Sequence, residues 1–159
     1  MRLSLDAYLD KTRIPLKIDI STGDVITPCE ISFSYQLMFE NRTIPLLAYP
    51  PETVLAEKLE TILSRGEANT RLRDFYDVYI LQREDFVVTP DALCHALLAT
   101  CRKRGHEDLL HTYASILDRV RQSDTMRTQW MKYQTVFDYA AGITWDTVLD
   151  TVETLCMKT

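Results

Sequence analysis

No run of apolar residues approaches the roughly 18 needed to cross a bilayer, and Met1-Arg2-Leu3-Ser4-Leu5-Asp6 has no signal-peptide hydrophobic stretch. A membrane protein and a secreted one are both disfavoured, so the predicted location is the cytoplasm. Cysteine is confined to Cys29, Cys94, Cys101 and Cys156, with no Cys-x-x-Cys pair and no histidine at zinc-finger spacing. That excludes a disulfide framework and a metal knuckle and predicts four buried thiols. His95, His106 and His111 converge on no ligand or triad pattern. Glycine and proline are sparse, at four and six residues, while 46% of the chain is hydrophobic, so a disordered or low-complexity chain is excluded as well. Net positive charge is also missing: the formal charge is −5. Such a chain does not coat nucleic acid or anionic membrane by overall charge, and any polyanion must be met by a local basic patch.

What is present fits a single compact unit of 159 residues with α+β character. Leu16, Ile18 and Ile20 alternate with Lys17, Asp19 and Ser21, a period of two that predicts a strand with one buried face. Thr22-Gly23-Asp24 supplies a turn. Ile31, Phe33 and Tyr35 predict a second strand, and Ile44 to Ala48 a short third that the Pro50-Pro51 pair stops. Residues 1–49 are thus expected to form a small antiparallel or mixed sheet of about three strands, and residues 50–159 a helical bundle. Pro51 with Glu52 starts a helix that Arg65-Gly66 ends. Asn69 or Thr70 caps another, running to about Gln82, and Thr89-Pro90-Asp91 opens a third through Leu93, Leu97 and Cys101. Apolar stripes predict three more, around Leu109 to Val120, around Trp130 and Tyr133, and from Trp145 to Cys156.

On the helix after Pro51, a lysine interrupts the apolar stripe. Val54, Leu55, Leu59 and Ile62 share a face, and Lys58 falls between Val54 and Ile62. Such a side chain either snorkels to water or delivers an ammonium into a cleft; if it enters a cleft beside Asp74, its replacement by methionine is expected to spare the fold and to lose triphosphate binding. On the next helix Leu72, Phe75, Tyr76, Tyr79 and Ile80 make the main buried stripe. Asp74 and Asp77, three apart, fall on the other side with Leu81, where they can share a cation, while Asp74 also complements the helix dipole. Lys58, Arg65, Arg71 and Arg73 gather around one short interhelical loop, a pattern that suits phosphate and also an ordinary charged surface. Asp19 lies on the Lys17 side of its strand.

These segments resemble a known family. Leu16-Lys17-Ile18-Asp19-Ile20 with Gly23-Asp24, then Tyr49-Pro50-Pro51-Glu52-Thr53-Val54-Leu55-Ala56-Glu57-Lys58-Leu59, then Asn69-Thr70-Arg71-Leu72-Arg73-Asp74-Phe75-Tyr76-Asp77 look like successive motifs of the AbiEii/AbiGii nucleotidyltransferase toxins of type IV toxin-antitoxin and abortive-infection (phage defence) systems. Cys101-Arg102-Lys103-Arg104-Gly105 and Trp130-Met131-Lys132-Tyr133 are similar to the family's helical part. The resemblance implies a nucleotidyltransferase-like core that uses a nucleoside triphosphate and Mg2+. It makes Asp19 a metal-binding carboxylate, Lys58, Arg71 and Arg73 phosphate contacts, and Asp74 the acidic residue of the last motif, with Asp77 and Glu57 in support. Implied partners are a cognate antitoxin or a separate N-terminal half, and an RNA (tRNA) acceptor, with no membrane; a homo-oligomer is also expected. Family members have a Gly-Ser element and an Asp-x-Asp motif, neither of which occurs in this sequence. The chain is therefore expected to be the C-terminal, truncated portion of such a toxin, incomplete as an enzyme by itself, or a non-catalytic remnant that binds an antitoxin or a separate N-terminal half.

Overall fold

The computed structural model describes residues 1–83 and 88–157. Two β-hairpins are followed by six helices, the α+β arrangement expected from the change of period at Pro51. Strand β1 (Arg2–Leu9) pairs antiparallel with β2 (Thr12–Asp19), and β3 (Ile31–Gln36) with β4 (Thr43–Ala48). The helices are α1 (Pro51–Arg65), α2 (Leu72–Arg83), α3 (Pro90–Arg104), α4 (Leu109–Gln122), α5 (Asp124–Val136) and α6 (Trp145–Met157).

The strands differ from the expected single sheet of three: they form two separate two-stranded sheets. An additional strand, β1, alternates Leu3, Leu5, Ala7 and Leu9 with Arg2, Ser4, Asp6 and Tyr8, the same period of two that marks β2. Only Asp10, at φ 52°, and Lys11 separate the two strands. So short a connection makes β1 the nearest partner of β2, and β3 then pairs with β4 in the same local way.

Neither face of the first hairpin is buried. Leu3 lies opposite Ile18, Leu5 opposite Leu16 and Ala7 opposite Ile14, so one face is wholly apolar. Leu5 and Leu16 are nonetheless 41% and 42% exposed. The second hairpin repeats the arrangement with Phe33 opposite Leu46 and Tyr35 opposite Ile44, and its Phe33 is half exposed. The cause is that the buried hydrophobic cluster is drawn entirely from the helices, from Leu55 onward.

That core forms around α1, which packs against α2, α3 and α4, while α6 packs against α2 and α4. Pro51 starts α1 with the φ a helix needs and no donor to waste, and Glu52 meets the positive end of the dipole. The buried stripe is Leu55, Ala56, Leu59, Ile62 and Leu63. Val54 is half-buried, so the stripe is rotated slightly and Lys58 sits at its edge. Thr53 is fully buried and ties the preceding loop to α1: its Oγ1 accepts from the Thr27 amide at 2.9 Å and donates to the Thr27 carbonyl at 3.0 Å. At the far end, Phe75 of α2 meets Trp145 of α6 with ring centres 5.0 Å apart. Trp145 in turn lies 5.9 Å from Trp130 of α5. The Trp130 indole N–H donates to the Ile143 carbonyl at 2.8 Å, so this large ring is buried without an orphaned donor.

The thiols depart in part from uniform burial. Cys101 and Cys156 are buried and Cys94 is half-buried, but Cys29 is exposed because it lies between the two hairpins, away from the helical core. Burial pushes the Cys101 thiol up to about 11 and the Cys156 thiol up to about 12. Both folded values lie above the ordinary thiol value of 9.0, so the stability they confer is intact below pH 9 and is lost as pH rises through about 11–12. Chemical denaturation should therefore give a falling stability as pH is raised above 9, with a shallower fall in Cys101→Ala. At pH 8, a chromogenic disulfide reagent should modify Cys29 quickly and reach Cys101 and Cys156 only after denaturant is added.

Candidate functional site

A concavity of about 780 Å³ opens between the start of α2 and the second half of α5. Its lining includes Lys58, Arg71, Arg73, Asp74, Asp77 and Lys132, together with Gln129, Tyr133, Val136 and Phe137. Lys58 reaches it from α1. Its Nζ donates to Asp74 Oδ1 at 3.2 Å and to Asp77 Oδ2 at 2.6 Å. The other oxygen of each carboxylate meets an arginine: Arg71 Nε lies 3.0 Å from Asp74 Oδ2, and Arg73 Nε 3.7 Å from Asp77 Oδ1. The two aspartates, three residues apart on one helix, therefore share one ammonium, as their spacing allows.

Local sequence explains this placement. Asn69 Oδ1 accepts from the Arg71 amide at 2.7 Å, an Asx turn that orients the chain just before α2. Asp74 falls in the first turn of α2, where the helix dipole favours a negative charge. Its side chain is only 5% exposed, which corrects the expectation that Asp74 lies opposite the buried stripe. The stripe is centred on Leu72, Phe75 and Val78, while Tyr76, Tyr79 and Ile80 are half-buried, so Asp74 turns inward towards α1.

The remaining expected residues are dispersed. Asp19, at the end of β2, is exposed and accepts from Arg2 Nε at 2.6 Å and Arg2 Nη2 at 2.8 Å; that guanidinium holds its carboxyl below the usual range. Asp19 lines a different concavity, with Met1, Arg2 and Ile20. Arg65 is exposed and does not line the Lys58 concavity. Glu57, although adjacent to Lys58, faces Arg104 at 3.9 Å, and burial raises its carboxyl above the usual value.

Sequence reasoning missed a second charged cluster. Glu60 of α1 is 2% exposed, and its carboxylate is held by Arg104 and by His106 Nδ1, the latter at 2.6 Å. Arg104 also donates to Thr61 Oγ1 at 3.3 Å. Glu60 lies among the apolar positions of α1, which was the available signal. Its partners, 44 and 46 residues away, flank the turn at Gly105, whose φ of 72° closes α3. The aromatic wall of the main concavity was missed too, although Lys132 and Tyr133 belong to a segment that resembles the family.

The Lys58 geometry argues against the expectation that its charge is dispensable to the fold. Removing the ammonium leaves the buried Asp74 carboxylate with Arg71 alone, and an uncompensated buried charge is costly. Lys58→Met should destabilise the protein by about 2–3 kcal/mol, less than the roughly 3–5 kcal/mol of a fully buried broken pair because Arg71 remains. The thermal midpoint should fall by about 5–10 °C. Arg73→Ala, at a side chain 77% exposed, should change stability by no more than about 0.5 kcal/mol. A cycle of Lys58→Met and Asp74→Asn, followed by calorimetry, should show the two losses to be strongly non-additive.

Comparisons with known proteins bear on this site. No curated protein and no solved structure matches the chain. The model of one family does match, over residues 1–151, and that family is described as the nucleotidyl transferase AbiEii toxin of a type IV toxin-antitoxin system. The match spans both hairpins and the helices that supply Lys58, Asp74 and Asp77, and the chain belongs to the AbiEii nucleotidyltransferase toxin family.

Proposed function

We propose that the concavity binds the phosphates of a nucleoside triphosphate and that the chain takes part in nucleotide transfer. The observation that supports this most is charge. Lys58, Arg71, Arg73 and Lys132 line the concavity against Asp74 and Asp77, an excess of two positive charges in a chain whose total is −5. In this reading Arg71, Arg73 and Lys132 approach phosphate oxygens from the rim, and Lys58 meets them at the floor. Asp74 and Asp77 hold Lys58 in position. Nucleotide transfer is governed by neutralising charge that spreads over phosphate oxygens, so such a set of cations is chemically apt.

The carboxylates fit a magnesium site poorly. Asp74 and Asp77 are engaged by an ammonium and two guanidinium groups, and Asp19 is bound to Arg2. Among the described residues no group of three or more His, Cys, Asp or Glu side chains is arranged to hold a metal ion. Magnesium enters this reading only as the counter-ion of the triphosphate substrate. The Gly-Ser and Asp-x-Asp elements absent from the sequence would have to be contributed from elsewhere for transfer to an acceptor such as tRNA.

An interaction role, with an antitoxin, a separate N-terminal half or a second copy as partner, is favoured by a separate observation. Both hairpins leave an apolar face uncovered among the described residues, the kind of surface that marks an interaction site. Self-association through these faces would leave the charged reverse side of the first hairpin, where Arg2 pairs with Asp19 and Arg13 with Asp6, facing away from the partner.

Titration calorimetry with ATP, CTP, GTP and UTP in magnesium tests the first reading. At least one should bind, and Arg71→Ala should weaken it about 10- to 100-fold, the effect of losing one or two charge-assisted contacts. Arg65→Ala should leave it unchanged. Equal binding by Arg71→Ala and the parent would refute the assignment. For association, light scattering should give a mass above that of one chain, and Leu16→Glu on the apolar hairpin face should return it to the monomer. A parent that is monomeric at high concentration would count against self-association.

A further inference from the structure

The two hairpins carry apolar faces of matching extent. Three cross-strand pairs, from Leu3–Ile18 to Ala7–Ile14, form the first face, and three, from Ile31–Ala48 to Tyr35–Ile44, form the second. Neither face contains a charge. Alternation puts the charged and polar residues on the reverse sides: Arg2, Lys17 and Asp19 on the first hairpin, Ser32, Ser34 and Gln36 on the second. The faces also differ in relief. The first is aliphatic with a low point at Ala7, whereas the second raises the rings of Phe33 and Tyr35. Within one chain they do not cover each other, because both stay exposed while the residues between them are held to the rest of the protein, Thr27 by Thr53 of α1 and Asp24 by the Tyr49 hydroxyl.

From this arrangement we infer that the chain forms a two-fold dimer in which the first hairpin of each copy packs face to face on the second hairpin of the other. The inference rests on the self-association reading and assigns what each face meets. Raised rings and a low aliphatic surface are complementary, so a second copy brings the match for both faces at once. Area decides how many faces take part. The large side chains, mostly 39–50% exposed, leave roughly 400 Å² on each face. One face on one face would bury roughly 800 Å² in total, no more than an incidental contact, whereas both together bury roughly 1,600 Å², the usual size of a stable interface. Symmetry decides which face meets which. Like on like would give each hairpin its own two-fold axis, and unless the axes coincide, copies add without closing; the reciprocal arrangement closes at two chains about one axis. Each hairpin then gains the covering layer that a two-stranded sheet lacks alone, with its polar side outward.

Light scattering on the full chain and two variants tests the arrangement. The parent should have the mass of two chains, and Leu16→Glu or Phe33→Lys alone should weaken dimerisation roughly 100-fold or more, because each copy then presses an unpaired charge on an apolar face. Each variant should keep the helical circular dichroism of the parent, since neither residue belongs to the helical core. Mixed in equal amounts, the two variants should recover the two-chain mass. In the mixed pair one contact is unaltered and the other sets the introduced carboxylate against the introduced ammonium. If like faces met like, both contacts would carry a lone charge and the mixture would stay monomeric, which refutes the reciprocal arrangement and leaves self-association standing. A single variant that dimerises as tightly as the parent refutes the hairpin interface. A parent that is monomeric at high concentration overturns the dimer and the self-association reading together, and the faces then belong to a different chain.

Discussion

A single ammonium, that of Lys58, lies between two carboxylates at the junction of α1 and α2, and the form of the concavity depends on it. Lys58 leaves the edge of the core stripe of α1, and Asp74 and Asp77 leave one face of α2, so the three charges fix how the helices meet. The ammonium cannot be considered apart from its surroundings. Asp74 is nearly fully buried and is tolerable there only because Lys58 and Arg71 both approach it and the first turn of α2 favours its charge. A phosphate arriving at the floor would compete with carboxylates already in contact with Lys58. On the proposed reading, any gain from a bound anion would come from the surplus at the rim, from Arg71, Arg73 and Lys132. Lys58 itself is a structural tie between α1 and α2.

The hairpins stand in contrast to the helical body. Their alternation is regular, and Arg2–Asp19 and Arg13–Asp6 pair on the reverse face of the first, yet the apolar faces of both remain exposed among the described residues. A two-stranded hairpin is marginal in water unless a third strand or a helix covers it. Both hairpins here are two-stranded, and among the described residues no helix buries the apolar face of either. The link to α1 through Thr53 and Thr27, and the contact of the Tyr49 hydroxyl with Asp24 at 3.2 Å, hold the loop between the hairpins to the helical body without covering either apolar face.

The first three helices were legible from their punctuation, Pro51 and Glu52, the Asn69 turn and Thr89-Pro90, and the last three from their apolar stripes. Burial of strand faces was not legible, since period two reports which side chains share a face and not whether anything lies against it. For the same reason β1 escaped notice although its alternation is complete. In the site, Lys58, Arg71, Arg73, Asp74 and Asp77 were marked by spacing and by resemblance, and the fold brings them together. Asp19 was marked as well and stands apart with Arg2. The inward turn of Asp74 was hidden because a rotation of α2 that makes Val78, and not Tyr79, central is set by packing against α1 and α6. The Glu60 cluster was hidden by the 44 residues between Glu60 and Arg104.

The contrast between a locally positive concavity and an acidic whole also bears on what can enter. Beyond about 8 Å, the Debye length at physiological salt, the rim cations are largely screened. On the proposed reading a small triphosphate would lie within that distance and meet mainly Lys58, Arg71, Arg73 and Lys132. An extended polyanion also has to pass the acidic remainder of a chain with a total charge of −5, which repels it. On the proposed reading this charge distribution would favour a compact anion over an extended one. An RNA acceptor would therefore have to approach with one end alone, or on basic surface supplied by a partner bound to the uncovered hairpins.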